Sequence, residues 1–165
     1  RMTVRDIIAE PLEVMELTQT REETDQRVRE NASKCRLNLE HLRRFPHAFS
    51  GGQRQRISIA RTLVCNPNFV IADESVAALD VSIQADILNL LKSLQNDLGL
   101  TFLFISHDLK VIRALAHEVI VMKDGKVVEA GPADQVINNP ETPYTKALMA
   151  AAFDLRADET GIVSS

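Results

Sequence analysis

The residues of this sequence that could do chemistry begin with a helix start, Ser50-Gly51-Gly52-Gln53. Ser50 is a predicted N-cap, and Gln53, three residues later, completes a capping box. The two glycines have no Cβ, so another molecule can approach the backbone amides of the first turn. Unpaired amides and the positive end of the helix dipole favour phosphate. A phosphate site and an ordinary helix start are alternatives that these four residues alone do not separate.

Two carboxylates and a histidine follow two apolar stretches further along the chain. Residues 69–72 precede Asp73 and Glu74, and residues 100–105 precede Ser106-His107. The amphipathic segment 82–98 between them predicts a strand–helix–strand unit with parallel, buried strands covered on both faces. Because ligands bind at the carboxyl ends of such strands, Asp73, Glu74 and His107 are candidate site residues.

These residue types suit phosphoryl transfer. Asp73 is placed to hold Mg²⁺ through water, since this ion keeps most of its waters and takes one or two protein carboxylates. Glu74 points away from Asp73 on an alternating strand and can polarise an attacking water. His107 can donate to a γ-phosphate or hold the water. As alternatives, the carboxylates cap the next turn and His107 is an N-cap neighbour or a core histidine. The joint occurrence with Ser50–Gln53 favours the nucleotide site.

The elements that must position these groups fall into a helical first part and a mixed second part. The segment after Thr3 predicts a short helix, in which Pro11 lies too deep for an uninterrupted one. A surface-facing helix over residues 21–35 has three apolar anchors, and residues 37–42 predict a further short helix. The anchors of the second helix are Val28, Ala32 and Cys35.

The second part continues with a hairpin and a terminal helix. Lys123-Asp124-Gly125 between two apolar stretches predicts a β-hairpin. Residues 143–153 predict a helix with small residues that permit close packing, and residues 156–165 an acidic, frayed tail.

Composition limits the classes of protein. The 165 residues suit one domain, 45% of them apolar and 25% charged, as in ordinary globular proteins. The net charge of −4 argues against a dedicated nucleic-acid binder. Cys35 and Cys65 lack metal-ligand spacing and read as reduced thiols. No apolar run approaches the ~20 residues of a spanning helix. The abrupt start at Arg1 is interpreted as a piece of a longer protein.

Four motifs, taken in chain order, resemble those of a known protein family. Phe49-Ser50-Gly51-Gly52-Gln53, the strand ending in Asp73-Glu74, Ala78-Leu79-Asp80 and Ile105-Ser106-His107-Asp108 together resemble the nucleotide-binding domain of ATP-binding cassette (ABC) transporters. The resemblance implies that Ser50, Gly51, Gly52 and Gln53 are the signature motif. It likewise implies that Asp73 and Glu74 are the Walker B pair, that Asp80 belongs to the D-loop and that His107 is the switch histidine. Residues 78–85 and 143–148 are similar, more narrowly, to the dipeptide/oligopeptide importer ATPases.

The implied fold is α/β: a partial P-loop NTPase domain of the ABC ATPase type, with a parallel sheet, helices on both faces, a small helical subdomain and a C-terminal hairpin. Residues 1–66 would be the helical subdomain ending in the signature helix. Residues 67–165 would be the C-terminal part of the RecA-like core with a terminal helix and tail. The sequence departs from the family at Phe49, where leucine is usual, at Ser75, where proline is common, and in having no cysteine-rich segment after the terminal helix.

The sequence holds no Gly-x-x-x-x-Gly-Lys-Ser/Thr and no Q-loop. We therefore expect that the 165-residue chain alone neither binds ATP tightly nor hydrolyses it. Half a sheet would also expose edges and apolar surface, so we expect the chain to self-associate.

The resemblance also implies cofactors and partners. ATP and Mg²⁺ would be sandwiched between two nucleotide-binding domains, with Asp73 as the metal residue, Glu74 and His107 as catalytic residues, and Ser50–Gln53 and Asp80 reaching the other subunit. Membrane permease subunits would dock against residues 1–48, and a solute-binding protein would act indirectly, without nucleic acid. The protein would be cytoplasmic, peripheral on the inner face of the membrane, and would energise import of peptides or similar solutes. The alternatives are a non-transport ABC-type ATPase and a non-catalytic structural or regulatory module.

Overall fold

A computed structural model describes residues 2–74 and 79–159, with side chains to residue 152. The chain forms two compact units, Arg1–Ile105 and Ser106–Ser165. The predicted boundary after residue 66 does not coincide with this division and stays a prediction. The first unit contains α1 (Val4–Val14), α2 (Arg21–Lys34), two short 3₁₀ helices (Leu39–Arg43 and Pro46–Ala48), α3 (Gly51–Leu63), β1 (Phe69–Asp73), α4 (Val81–Leu98) and β2 (Thr101–Ile105). The second contains α5 (Leu109–Leu115), β3 (Glu118–Lys123), β4 (Lys126–Pro132), α6 (Ala133–Asn138) and α7 (Pro143–Glu159).

The helical part of the first unit surrounds a buried core. Thr3 and Asp6 form the capping box of α1, which begins where the sequence predicts. The expected interruption at Pro11 is wrong: α1 continues through this residue to Val14. Leu12, one residue further on, is fully buried, so packing outweighs the hydrogen bond that proline cannot donate. The segment predicted as a short helix over residues 37–42 is the 3₁₀ helix Leu39–Arg43.

Helix α2 is confirmed, as are its three anchors. Val28, Ala32 and Cys35 are fully buried. Burial raises the pKa of Cys35 to about 12, so this thiol stays neutral at physiological pH. The core joins α1 and α2 to α3 and α4, because it includes Ile57 of α3 and Leu90 of α4. This shared core explains why the first unit extends past residue 66.

Strands β1 and β2 pair in parallel, as predicted, with Phe69 opposite Thr101 and Asp73 opposite Ile105. The connection runs through α4, which ends at Gly99 in the left-handed conformation (φ 64°). The expectation that both faces of the pair are covered is not met in the part of the chain that the structure describes. Phe102 packs against the core, whereas four apolar side chains on the opposite face are exposed. These are Phe69 (54%), Ile71 (61%), Leu103 (43%) and Ile105 (48%).

The second unit contains the predicted hairpin. Strands β3 and β4 pair antiparallel around Asp124 and Gly125, both of which have positive φ. Glu129 on β4 accepts hydrogen bonds from the Glu141 amide (2.8 Å) and the Thr142 hydroxyl (2.8 Å). The hydroxyl of Thr145, the Glu141 amide and Thr142 lower the pKa of Glu129 to about 2. A carboxylate of the hairpin therefore holds the segment that enters α7.

Within residues 2–74 and 79–159, no helix has the length and apolar character that crossing a membrane requires.

Candidate functional site

The helix start at Ser50 has the predicted capping box. The Gln53 amide donates to Ser50 Oγ (3.4 Å), and the Ser50 amide donates to Gln53 Oε1 (3.0 Å). Ser50, Gly51 and Gln53 are exposed. The amides of Gly51 and Gly52, which precede the first intrahelical bond, have no acceptor among the described residues. The first turn of α3 thus presents amide donors to an anion.

Two arginines hold this helix start in place. Arg54 donates to the carbonyls of Pro46 (3.1 Å) and His47 (3.4 Å), which lead into the turn. Arg56 donates to the carbonyl of Cys35 at the end of α2 (3.2 Å). The sequence does not predict these bonds, because charge alone does not show which carbonyls lie within reach. The two guanidinium groups orient α3.

Asp73 and Glu74 lie at the carboxyl end of β1, as predicted, and both are exposed. The Glu74 amide donates to the Ile105 carbonyl (2.9 Å), which continues the strand pairing by one bond. Glu74 has φ 48°, in the left-handed region that is strained for a residue with a Cβ. The regular strand conformation therefore ends at Asp73, before Glu74.

A groove of about 400 Å³ reaches Asp73 and Glu74 between the strand pair and the helices. Helix α3 contributes polar side chains together with Ile59 and Leu63, and β1, α4 and β2 contribute mainly apolar ones. The lining includes Gln55, Ser58, Thr62, Val70, Ala72, Asp73, Glu74, Leu79, Leu91 and Phe102. Asp73, Glu74 and part of α3 therefore line one groove of the first unit.

Asp80 is exposed and is the N-cap of α4. Its Oδ1 accepts from the Ile83 amide (3.1 Å) and the Ser82 hydroxyl (3.0 Å). These bonds orient the carboxylate within its own chain, and its contact with another subunit stays a prediction. Ser75 and Ala78 lie outside the described residues.

The structure corrects part of the reasoning on the glycines. Gly52 is buried, and a Cβ placed on it would lie 2.4 Å from Ile83 Cγ2. A Cβ on Gly51 would lie 3.4 Å from Leu79 Cδ2. The group that packs most closely against Gly52 is thus Ile83 of the same chain and not another molecule. Sequence reasoning missed Leu79 and Ile83, although the spacing Asp80-x-x-Ile83 marks the first turn of a capped helix that begins close to the motif.

His107 follows β2 by two residues and belongs to the second unit, where it is exposed. Its neighbour Asp108 caps α5 by accepting from the Lys110 amide (2.8 Å). Ser50–Gln53, Asp73, Glu74 and Asp80 all belong to the first unit. The role of His107 stays a prediction.

The residues present fit part of a site for ATP and Mg²⁺. The α3 amides are donors for phosphate, and Asp73 provides one of the one or two carboxylates that Mg²⁺ takes from proteins. Among residues 2–74 and 79–152, no three His, Cys, Asp or Glu side chains are grouped so as to hold a metal by themselves. A resident ion would thus depend on water and phosphate oxygens besides Asp73.

Comparison with known proteins identifies the class. The family described as "ABC transporter" matches residues 1–77, and the "Oligopeptide/dipeptide transporter, C-terminal region" matches residues 128–164. The structure titled "Dimeric Structure of MJ0796, a Bacterial ABC Transporter Cassette" aligns with TM-score 0.68 and 31% identity over 80% of this chain and 57% of that one. The same cassette in "a post-hydrolysis state" bound to "ADP and Pi" aligns equally well. The chain belongs to the ABC transporter family of ATP-binding proteins.

Within this family the chain is similar to peptide transport proteins. It is 54% identical to the oligopeptide transport ATP-binding protein OppF of Bacillus subtilis (strain 168), over 92% of this chain and 50% of that protein. It is 52% identical to the peptidoglycan transport ATP-binding protein YejF of Agrobacterium fabrum, over 99% of this chain and 30% of that protein. The chain thus spans half the length, or less, of these relatives.

Proposed function

We propose that this chain is the signature-bearing part of an ABC transporter ATP-binding subunit that energises the import of peptides or similar small solutes. The observation that carries the proposal is the arrangement in the first unit: the amide donors of the first turn of α3 belong to the same compact unit as Asp73 and Glu74, which lie at the end of a parallel strand. The names of the relatives, which transport oligopeptides or peptidoglycan, support the class of solute.

In this proposal each residue has a separate task. Ser50 and Gln53 hold the first turn of α3, so that the Gly51 and Gly52 amides can donate to the γ-phosphate of ATP bound by another subunit. Asp73 would hold Mg²⁺ through water, and the bound ion would supply charge neutralisation at the phosphates. Glu74 accepts a proton from the attacking water. His107 orients that water or the γ-phosphate.

The proposal requires a phosphate cradle that this sequence does not contain. The relatives are about twice as long or longer. The assembly would be completed by a second cassette subunit, by permease subunits at the inner face of the membrane and, indirectly, by a solute-binding protein. The dimeric cassette structure supports pairing of two subunits. Copurification with permease subunits, as opposed to ribosomes or DNA, would distinguish this proposal from a non-transport ABC ATPase.

A chimera tests the ATPase function. This chain is joined to the half of the Bacillus subtilis relative that it does not match, and ATP hydrolysis is measured with Mg²⁺. We expect turnover that Glu74→Gln lowers by about 100-fold or more, because a general base contributes a factor of that order. Glu118→Gln is the matched control, since Glu118 is exposed at the start of β3 in the other unit.

Three results would contradict the proposal or its parts. A folded chimera without turnover would exclude the ATPase function, and equal rates for Glu74→Gln and Glu118→Gln would exclude the role of Glu74. Turnover by the 165-residue chain alone, abolished by Glu74→Gln, would overturn the expectation that it is inactive by itself.

A further inference from the structure

The first turns of α3 and α4 touch each other at Gly52. A Cβ on this residue would overlap Ile83 Cγ2 at 2.4 Å, a separation at which one of the two groups must move. Gly52 is buried although Ser50, Gly51 and Gln53 around it are exposed. Within the described residues, positive φ among glycines is confined to Gly99 and Gly125. Position 52 therefore requires glycine for space and not for an unusual backbone conformation.

Ile83 has a second connection, to Asp80. Its amide is the donor that the Asp80 carboxylate holds at 3.1 Å, at the capped start of α4. Ile83 is also β-branched, and the χ1 angle of such a side chain has one strongly preferred value in a helix. One stiff residue thus links the carboxylate of Asp80 to the glycine turn that presents the amides of α3.

We propose that Ile83 is a positioning residue that fixes the separation between Asp80 and the amides of Gly51 and Gly52. Asp80 and the amides of Gly51 and Gly52, which are proposed to reach the other subunit, then move as one body when the subunits approach. The inference rests on the proposed function, since only a two-subunit site gives this separation a catalytic meaning. Its physical basis is the contact of Ile83 Cγ2 with Gly52.

The contact itself is tested by unfolding of the 165-residue chain. We expect Gly52→Ala to lower the urea midpoint clearly, and Gly51→Ala, in the same turn with an ordinary 3.4 Å neighbour, to lower it much less. Ile83→Leu keeps the number of carbons but has no Cγ2. The double variant Gly52→Ala/Ile83→Leu should therefore be more stable than the sum of the two single changes predicts. Additive effects would overturn the proposal.

The positioning role is tested by kinetics of the chimera at a temperature where each variant is folded by circular dichroism. Ile83→Val retains Cγ2 and should keep kcat within about twofold, whereas Ile83→Leu should lower kcat about fivefold or more (~1 kcal/mol in the barrier). The turnover rate should stay lowered at saturating ATP, since this subunit's own contacts with ATP are unchanged. Equal kcat for the Leu and Val variants, or a loss that follows the unfolded fraction, would overturn the positioning role. A wild-type chimera without turnover would count against the proposed function, and the unfolding cycle would then decide the Ile83 contact separately.

Discussion

At the scale of single residues, Glu129 shows how a half-buried carboxylate can hold a tertiary connection. Its oxygens accept bonds from the segment 141–142 that enters α7. Because the Thr145 hydroxyl, as the largest cause, and these bonds favour the ionised form, the pKa of Glu129 falls from 4.5 to about 2. A carboxylate whose pKa is lower in the folded than in the unfolded chain stabilises the folded state at pH values above its unfolded-state pKa. This stabilisation is lost as the pH falls through its folded-state pKa.

We therefore predict that Glu129→Gln lowers the thermal midpoint of the chain at pH 7, and that its difference from wild type shrinks between about pH 4.5 and pH 2. Glu118→Gln, on the paired strand of the same hairpin, should change the midpoint little at any pH. Thermal unfolding followed by circular dichroism across this range gives the measurement. A difference between wild type and Glu129→Gln that is constant from pH 7 to pH 2 would contradict the assignment.

The strained backbone of Glu74 marks what single-sequence reasoning cannot reach at this scale. The sequence predicts the two carboxylates at the end of β1, because an apolar run followed by charge is visible in the residue types. It does not show the positive φ of Glu74, which depends on the bond from its amide to Ile105, a residue 31 positions away. The close approach of Ile83 to Gly52 is hidden for the same reason.

At the scale of elements, α4 depends on its two ends. Asp80 caps the first turn and Gly99 ends the last with φ 64°, and both signals are present in the sequence. Its amphipathic stripe is also confirmed, since Ile87, Leu90 and Leu94 are buried. Local signals therefore predict this helix almost to the residue. By contrast, Pro11 is a local signal that misleads, because the tertiary packing of α1 overrides it.

The end of α4 gives the second prediction. Gly99→Ala should destabilise the chain by about 1 kcal/mol, because a Cβ is unfavourable in the left-handed conformation. Among the described residues, its two chain neighbours apart, no heavy atom lies within 4 Å of a Cβ on Gly99, so the cost comes from the backbone alone. Gly131→Ala is the control: its φ is not positive and its nearest neighbour, at 3.6 Å, is at ordinary contact distance. Urea unfolding that ranks Gly131→Ala below Gly99→Ala in stability would contradict this account.

At the scale of the molecule, each unit leaves one sheet face with exposed apolar side chains. In the first unit this face carries Ile71 and Leu103, opposite each other in the β1–β2 register. In the second unit Met122 and Val127 are opposite each other on the hairpin and are also exposed. Contiguous apolar surface of this kind marks an interaction face. The sequence predicts buried strands because their residue types do not alternate between apolar and polar. Whether other chain segments cover them cannot be read from one sequence.

The exposed face of the first unit leads to the last prediction. The 165-residue chain should self-associate, because burying apolar surface contributes about 25 cal/mol per Å². The double variant Ile71→Thr/Leu103→Thr replaces two apolar side chains with threonine, a polar and β-branched residue that strands accept. It should shift the chain toward monomer in sedimentation equilibrium. Val14→Thr removes an apolar residue that is even more exposed (76%), from the end of α1 and not from the strands, and should leave association unchanged. A wild-type mass that stays monomeric at high concentration would show that exposure of this face does not drive association, and equal effects of both variants would show that the face has no special part in it.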